Sequence, residues 1–91
     1  MKTTIGRRNA EPENKIEIGG IGIRSYHACI EKTEESKLFI EPTLENEDSG
    51  CYLNGNPIVK KIALMHLDRL IFGTNNFFVI IIPEGDVRDS V

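Results

Sequence analysis

The 91-residue sequence has little of what marks secreted, membrane-spanning or disulfide-rich proteins. It contains only two cysteines, Cys29 and Cys51, which are too few for a disulfide framework. Its longest apolar run, Phe77 to Ile82, has six residues, whereas a membrane-spanning helix needs about 20. No positively charged segment followed by an apolar one opens the chain, so we expect no secretory leader. These absences favour an intracellular domain with two reduced thiols and no membrane insertion.

The sequence also lacks an excess of basic residues. Its 11 lysines and arginines face 14 aspartates and glutamates, for a net charge of −3, whereas nucleic-acid binding usually requires a basic face. Four side chains are candidate ligands for a soft metal: His27, Cys29, Cys51 and His66. Their spacings match no zinc finger or ribbon, and no signature of a nucleophile with its base and acid is present. We therefore expect no nucleic acid, metal or cofactor to bind, and no enzymatic activity in this chain.

Short apolar or alternating segments, separated by turn residues, make up most of the chain. This pattern is typical of an all-β sandwich. The predicted strands cover residues 2–5, 15–18, 26–32, 37–41, 51–53, 57–59, 70–72 and 77–82. Because Phe77–Ile82 is apolar on both faces, we expect it to be a central strand rather than an edge strand. Residues 62–70 have some helical spacing, but about two turns are too few for a stable helix.

The clearest local signal is Asn54-Gly55, which lies between two apolar segments. Both residues tolerate a positive φ, and this dipeptide strongly predicts a β-hairpin. We expect a loop through Lys60 and Lys61 to follow it. The acidic, turn-rich segment Thr43–Gly50 is predicted to be a solvated loop.

Four short motifs follow one another along the chain. They are Gly-Arg at residues 6–7, a serine and a histidine within residues 23–30, Asn-Gly at residues 54–55, and a closing Leu-to-Gly run at residues 64–73. In this order they resemble the forkhead-associated (FHA) domain. Residues 66–73, together with the Phe-Phe strand that leads into Pro83-Glu84, resemble more particularly the FHA domains behind the motor of kinesin-3-type kinesins.

This resemblance has consequences for fold, function and location. It implies a sandwich of two antiparallel sheets, of the FHA/SMAD-like type, over residues 1–84. Because the segment that follows is polar, residues 85–91 are predicted to be a flexible tail. The resemblance implies a module that binds phosphothreonine peptides with loops at one end, here residues 6–14, 19–26 and 53–56. It also implies a fragment of a larger kinesin-like protein, whose ATPase motor lies outside this sequence. Such a protein would be cytoplasmic and associated with the cytoskeleton, with the nucleus as the alternative.

The binding site that the resemblance implies comprises Arg7, Asn54 and the dipeptide Arg24-Ser25, and His27 supports it without touching the ligand. A phosphate group has nearly two negative charges and three acceptor oxygens, which suit guanidinium, hydroxyl and backbone N–H donors. By resemblance, Arg7 occupies the position of the family's phosphate-contacting arginine, and Asn54 that of an asparagine which holds the peptide backbone. His27 occupies the position of a histidine that braces the loop. The alternative for Arg7 is that it is an ordinary surface arginine. The alternative for Asn54 is that it is present only because the turn requires it.

The dipeptide Arg24-Ser25 departs from the family pattern. The family usually has serine three residues before the histidine and arginine two before it, and here the two are exchanged. Either Arg24 replaces the serine as a charged donor, or Ser25 reaches the phosphate after a one-residue shift of the loop. Cys51 in place of threonine and Leu67 in place of glycine are further departures. They leave a second function open: an FHA scaffold that dimerises, or docks partners or its parent chain, without needing phosphate.

The start of the chain is also short for this family. Only Met1–Ile5 precede Gly6, whereas the family has further strand-forming sequence there. The chain therefore resembles a truncated domain or one with abbreviated first strands. If the backbone of Phe77–Ile82 is thereby left unpaired, we expect that edge to support self-association.

Overall fold

The computed structural model describes residues 1–83, which form nine β-strands. The strands are β1 (Lys2–Arg7), β2 (Ile16–Ile18), β3 (Ala28–Lys32), β4 (Leu38–Pro42), β5 (Cys51–Leu53), β6 (Asn56–Pro57), β7 (Ile62–Leu64), β8 (Arg69–Phe72) and β9 (Asn76–Val79). Within these residues no helix is present, and none is therefore available to span a membrane. The predicted tail at 85–91 and Glu84 lie outside the described residues.

The strands form two sheets that pack face to face. The first sheet has the order β2-β1-β3-β4-β7 and the second has the order β6-β5-β8-β9. All neighbouring strands are antiparallel except β1 and β2, which are parallel. The prediction of an all-β sandwich of two essentially antiparallel sheets is confirmed.

The core lies between the two sheets and is built from alternate side chains of the central strands. Ile5 and Ile40 from the first sheet and Leu70 and Phe72 from the second are almost completely buried. The His27 ring joins this core and meets Phe72 edge-on, with ring centroids 6.0 Å apart. The core therefore ends in a polar side chain at one end of the sandwich.

The predicted Asn-Gly hairpin is present. Asn54 and Gly55 have φ angles of 50° and 91°, the two positive values that a two-residue hairpin turn of this kind needs. Leu53 pairs with Asn56 across the turn. The local sequence was sufficient here because the turn residues, rather than distant contacts, determine the backbone path.

The loop predicted after the hairpin contains a strand that the sequence analysis missed. Residues 62–64 form β7, which leaves the sheet of the hairpin and joins the other sheet, with Leu64 opposite Leu38. All three of its residues are apolar although only Leu64 is buried, so no alternation of polar and apolar residues marks the strand in the sequence. A strand this short is specified by its neighbour β4 rather than by its own pattern.

The prediction that Phe77–Ile82 forms a central strand is wrong. The strand β9 covers Asn76–Val79 and stands at the end of its sheet, with β8 as its hydrogen-bonded neighbour within residues 1–83. Phe77 and Val79 are exposed. An apolar pattern on both faces indicates which faces could be covered, but it does not determine how many strands lie alongside.

One end of the sandwich gathers three loops: residues 8–15 after β1, residues 19–27 before β3, and residues 43–50 after β4. We call it the loop end. The expectation that residues 53–56 also lie there is wrong. Loop 43–50 precedes β5 and the Asn54-Gly55 turn follows it, so the turn lies at the opposite end of that strand.

Candidate functional site

The end of β1 is held against loop 19–27 by its backbone. The Arg7 N–H donates to the carbonyls of Arg24 and Ser25, at 3.2 Å each. A Cβ added at Gly6 would overlap the Ser25 carbonyl group and lie 2.8 Å from its carbon atom. Only glycine allows this approach of two backbones, which explains why Gly-Arg ends the strand.

The side chains of Arg7 and Ser25 lie on the surface of the loop end. Arg7 is exposed, and its Nη1 donates to the Ile23 carbonyl at 3.2 Å. Ser25 is also exposed, and its hydroxyl forms no hydrogen bond with any residue from 1 to 83. A permanently charged donor and an uncommitted hydroxyl are therefore both exposed, on two residues whose backbones are hydrogen-bonded to each other.

Asn14 holds these two residues together from below, and the sequence analysis missed it. Its side chain is buried, and Nδ2 donates to the Arg7 carbonyl at 3.0 Å and to the Ser25 carbonyl at 2.7 Å. Its Oδ1 has no hydrogen-bond partner within the part of the chain described. The asparagine thereby ties loop 8–15 to the end of β1 and to loop 19–27. No local motif marks it, because both of its partners are distant in sequence.

The Arg24 side chain is directed towards loop 43–50. Its Nη1 donates to the Ser49 carbonyl at 2.7 Å and its Nη2 to the Asp48 carbonyl at 2.8 Å. Its side chain is partly buried and lines an open cleft of about 360 Å³, together with Glu47, Asp48 and Tyr52. Two of its donors are thus engaged by loop 43–50, so Arg24 acts first as a clamp between two loops.

His27 joins the same two loops, in agreement with the bracing role that the resemblance implied. Its Nδ1 accepts from the Arg24 N–H at 3.2 Å, so the proton resides on Nε2, which donates to the Gly50 carbonyl at 2.9 Å. Burial is the main influence and lowers the pKa of His27. The positive charge of Arg24 lowers this pKa further, whereas the hydrogen bond to Gly50 raises it. The imidazole is therefore neutral near pH 7.

Gly50 permits the close contact with His27. Its φ is 73°, and a Cβ at this position would lie 2.8 Å from the imidazole Cε1. Its carbonyl accepts a second hydrogen bond, from the Gly73 N–H at 2.8 Å. One oxygen atom thus links the residue before β3 of the first sheet to the residue after β8 of the second.

Loop 43–50 is only partly the solvated loop that the sequence predicted. Glu45 and Glu47 are exposed, as expected, but Ser49 is fully buried. The Ser49 Oγ accepts from the Cys51 N–H at 3.1 Å. The buried carboxyl-terminal end of the loop supplies the carbonyls that receive Arg24 and His27, and the acidic composition of the segment gave no sign of this.

The Cys51 thiol lies immediately below this loop. It is fully buried, and burial is the main reason that its pKa is raised to about 11. The thiol is therefore neutral at physiological pH and packs as a small apolar group.

Asn54 is not brought together with the arginines. Its Nδ2 donates to Asp68 Oδ1 at 3.0 Å, and its Oδ1 accepts from the Arg69 N–H at 2.9 Å. Asp68 in turn accepts from the Met65 N–H at 2.7 Å. Both ends of the amide are engaged, and they join the hairpin turn to the loop before β8, at the end of the sandwich opposite Arg7.

Comparison with known sequences points to one family. The model of the family described as "FHA domain" matches residues 3–73. The chain is 30% identical over 82 residues to the human kinesin-like protein KIF13B and 31% identical over 87 residues to human KIF1B. Each match covers 90% of this chain, which spans only 4% and 5% of the length of those two relatives.

Solved structures show the same fold. The FHA domain of CT664 from Chlamydia trachomatis superposes with a TM-score of 0.77 at 18% identity, covering 91% of this chain and 77% of that one. The N-terminal FHA domain of S. cerevisiae RAD53P, solved in complex with a phosphothreonine peptide, gives 0.75 at 21% identity and covers 98% and 73%. At these identities the likeness concerns the fold.

Proposed function

This chain belongs to the FHA domain family, whose model matches residues 3–73, and on that premise we propose that it binds phosphothreonine peptides at its loop end. The observation that carries the proposal is the pairing of Arg7 with Ser25. Both side chains are exposed, and the Arg7 N–H is bonded to the Ser25 carbonyl. We propose that a phosphate bound there contacts both the positive charge of Arg7 and the hydroxyl of Ser25.

The chemistry of this pair suits a phosphate group. A guanidinium forms paired, charge-assisted hydrogen bonds with phosphate oxygens, and these are about twice as strong as neutral ones. One Arg7 nitrogen is oriented by the Ile23 carbonyl, while the other side-chain N–H groups have no hydrogen-bond partner in the part of the chain that the structure describes. Unmodified threonine offers neither the charge nor the acceptor oxygens, so Arg7 is proposed to discriminate between the two forms.

Arg24 has a different role in this proposal. Two of its nitrogens are held by the Ser49 and Asp48 carbonyls, so we assign it to positioning the loops and to a weaker, longer-range attraction. Ser25, rather than Arg24, is proposed to take the place of the family's serine. We assign Asn54 to the brace between the hairpin turn and Asp68, because it lies at the other end of β5.

The parent protein is part of the proposal as well. The kinesin-like relatives match 90% or more of this chain over a small fraction of their own length. We propose that the chain is the FHA portion of a kinesin-like protein in the cytoplasm, associated with the cytoskeleton. In that case the ATPase activity lies in another part of the polypeptide, and this domain contributes binding alone.

A second candidate function is a scaffold that docks partners without phosphate. It is favoured by the cleft beside Arg24, because Glu47 and Asp48 line it and their carboxylates would repel a phosphate dianion. In this alternative the guanidinium of Arg24 is fully used in holding loop 43–50, and Arg7 is an ordinary surface residue.

Binding of matched peptides with threonine or phosphothreonine separates the two candidates. We expect the phosphorylated form of a peptide selected from a library to bind better, and Arg7→Ala to weaken it about 10- to 100-fold, because charge-assisted hydrogen bonds contribute about 1.5–3 kcal/mol each. The plain peptide should be affected much less.

The neighbouring arginine provides a matched control. Arg8 is also exposed and is paired with Glu17 at 3.7 Å, an exposed ion pair of small energetic value. We expect Arg8→Ala to leave binding of the phosphorylated peptide nearly unchanged. Equal binding of both peptide forms, insensitive to Arg7→Ala, would eliminate phosphothreonine recognition and leave the scaffold.

A further inference from the structure

The strand β9 has one hydrogen-bonding edge without a partner strand among residues 1–83. On its other edge, the Ile80 N–H donates to the Asp68 carbonyl at 2.8 Å and the Ile80 carbonyl accepts from the Leu67 N–H at 2.7 Å. Because successive residues of a strand point their backbone groups to opposite sides, Phe77 and Val79 direct theirs away from β8. Within residues 1–83 these groups meet no other strand.

The other three sheet edges carry features that oppose such pairing. The strand β2 is short and bears Glu17, which is paired with Arg8. The strand β6 ends at Pro57, which has no N–H, and β7 is a three-residue strand that follows two lysines. Short length, charge and proline are the usual protections of an edge. Residues 74–83 contain no charged side chain, so β9 is the edge that lacks protection.

Both faces of β9 present apolar side chains. On the outer face Phe77 is 67% exposed and Val79 is 53% exposed. On the inner face Phe78 and Ile80 line an apolar cleft of about 130 Å³ between the two sheets, which Ile16 of β2 also lines. The core is therefore incompletely filled beside the strand whose outer edge has no partner strand among residues 1–83.

We propose that β9 pairs antiparallel with β9 of a second copy of this chain, so that two four-stranded sheets become one continuous sheet of eight strands. A two-fold contact requires a segment that complements itself. In an antiparallel pair of β9 strands no like charges are placed opposite each other, and apolar residues meet apolar residues on both faces. The edges of β2, β6 and β7 offer no equivalent complement.

The two-fold symmetry of this arrangement also explains how the apolar cleft beside Phe78 and Ile80 would be covered. A two-fold axis perpendicular to the sheet keeps the inner faces of both copies on the same side. Phe78 and Ile80 of each copy then lie beside the cleft of the other, while Phe77 and Val79 form a ladder of cross-strand pairs on the outer face. The exposed apolar side chains and the unpaired backbone are satisfied by the same contact.

The association state over a wide concentration range tests the proposal, measured by sedimentation or light scattering. We expect a monomer–dimer equilibrium that shifts towards dimer as concentration rises. Val79→Lys places two ammonium groups near each other across the axis, and we expect it to weaken dimerisation at least tenfold. Val59→Lys is the matched control, since Val59 is 40% exposed in the loop after β6, and it should change nothing.

Amide hydrogen exchange provides a readout on the unaltered protein and does not depend on a variant folding. We expect the Phe77 and Val79 amides to become protected as concentration rises, while the Phe78 amide, on the β8 side, does not change. Thermal unfolding of Val79→Lys confirms that this variant is folded. Three results would overturn the proposal: a monomer throughout, dimerisation weakened by Val59→Lys but not by Val79→Lys, or protection of Phe77 and Val79 that is independent of concentration.

Discussion

The loop end and the β9 edge use their backbone groups in opposite ways. At the loop end, side chains reach across loops and bond main-chain carbonyls: Arg24 to Asp48 and Ser49, Asn14 to Arg7 and Ser25, His27 to Gly50, and Tyr26 to Pro12. Along the outer edge of β9, no strand within residues 1–83 meets the corresponding groups. The first region is braced from within the chain, whereas the second has one edge without a partner strand among the described residues. The proposed recognition and the proposed assembly therefore concern separate parts of one small domain.

The largest expected effect on stability comes from a substitution at Gly50, in the loop end. We expect Gly50→Ala to lower the free energy of unfolding by about 2–4 kcal/mol, because it combines an unfavourable positive φ with a clash against the His27 ring. Chemical denaturation measures this. Gly55→Ala is the control: it also has a positive φ, but no atom lies within 4 Å of the added Cβ. Gly55→Ala should lower the free energy of unfolding by less than Gly50→Ala does. If both variants lost the same amount, the contact with His27 would be unimportant.

The pH dependence of the free energy of unfolding tests the same region through His27. Its pKa is lowered in the folded state, mainly by burial, so its contribution to stability is complete above the unfolded value of about 6.5 and is lost as the pH falls towards the folded value. Protonation would also place a second proton donor opposite the Arg24 N–H.

We therefore expect the free energy of unfolding to decrease as the pH falls below about 6.5, and His27→Asn to remove most of that dependence. His66, which is exposed and accepts from the Ile82 N–H, supplies the control variant His66→Asn. If that variant, and not His27→Asn, flattened the pH profile, the buried histidine would not be the responsible group.

The smallest effect on stability is expected at the β9 edge. Phe77→Thr introduces a residue suited to strands and removes an aromatic side chain that points outward. The free energy of unfolding should therefore change by only about 0.5 kcal/mol. The same substitution should weaken dimerisation. A large loss of stability in the monomer would mean that Phe77 already packs within its own chain, and the contrast between the two regions would disappear.

Much of the fold was predictable because it depends on local patterns. Asn54-Gly55 specifies its turn through backbone preferences alone, and the alternation in residues 37–41 identifies β4. The Gly-Arg end of β1 and the histidine before β3 were recognised as motifs. Each of these features is contained in a few consecutive residues.

What the sequence did not reveal depends on which strands are neighbours. Asn54 was expected beside the arginines, but the placement of a turn at one end or the other is determined by how β5 pairs with β8. Asn14 acts through Arg7 and Ser25, from 7 and 11 residues away. The central or edge position of β9 is likewise a property of the whole sheet, which no window of sequence contains.

The main-chain nature of the acceptors at the loop end has a consequence for how this surface can diversify. Arg24 and His27 bond the carbonyls of residues 48–50, and a carbonyl is supplied by any amino acid. The exposed side chains of Glu45 and Glu47 can therefore be exchanged while the path of the loop is retained. Substitutions in loop 43–50 can therefore change the charge or shape of this surface while the hydrogen bonds to its carbonyls keep the backbone in place.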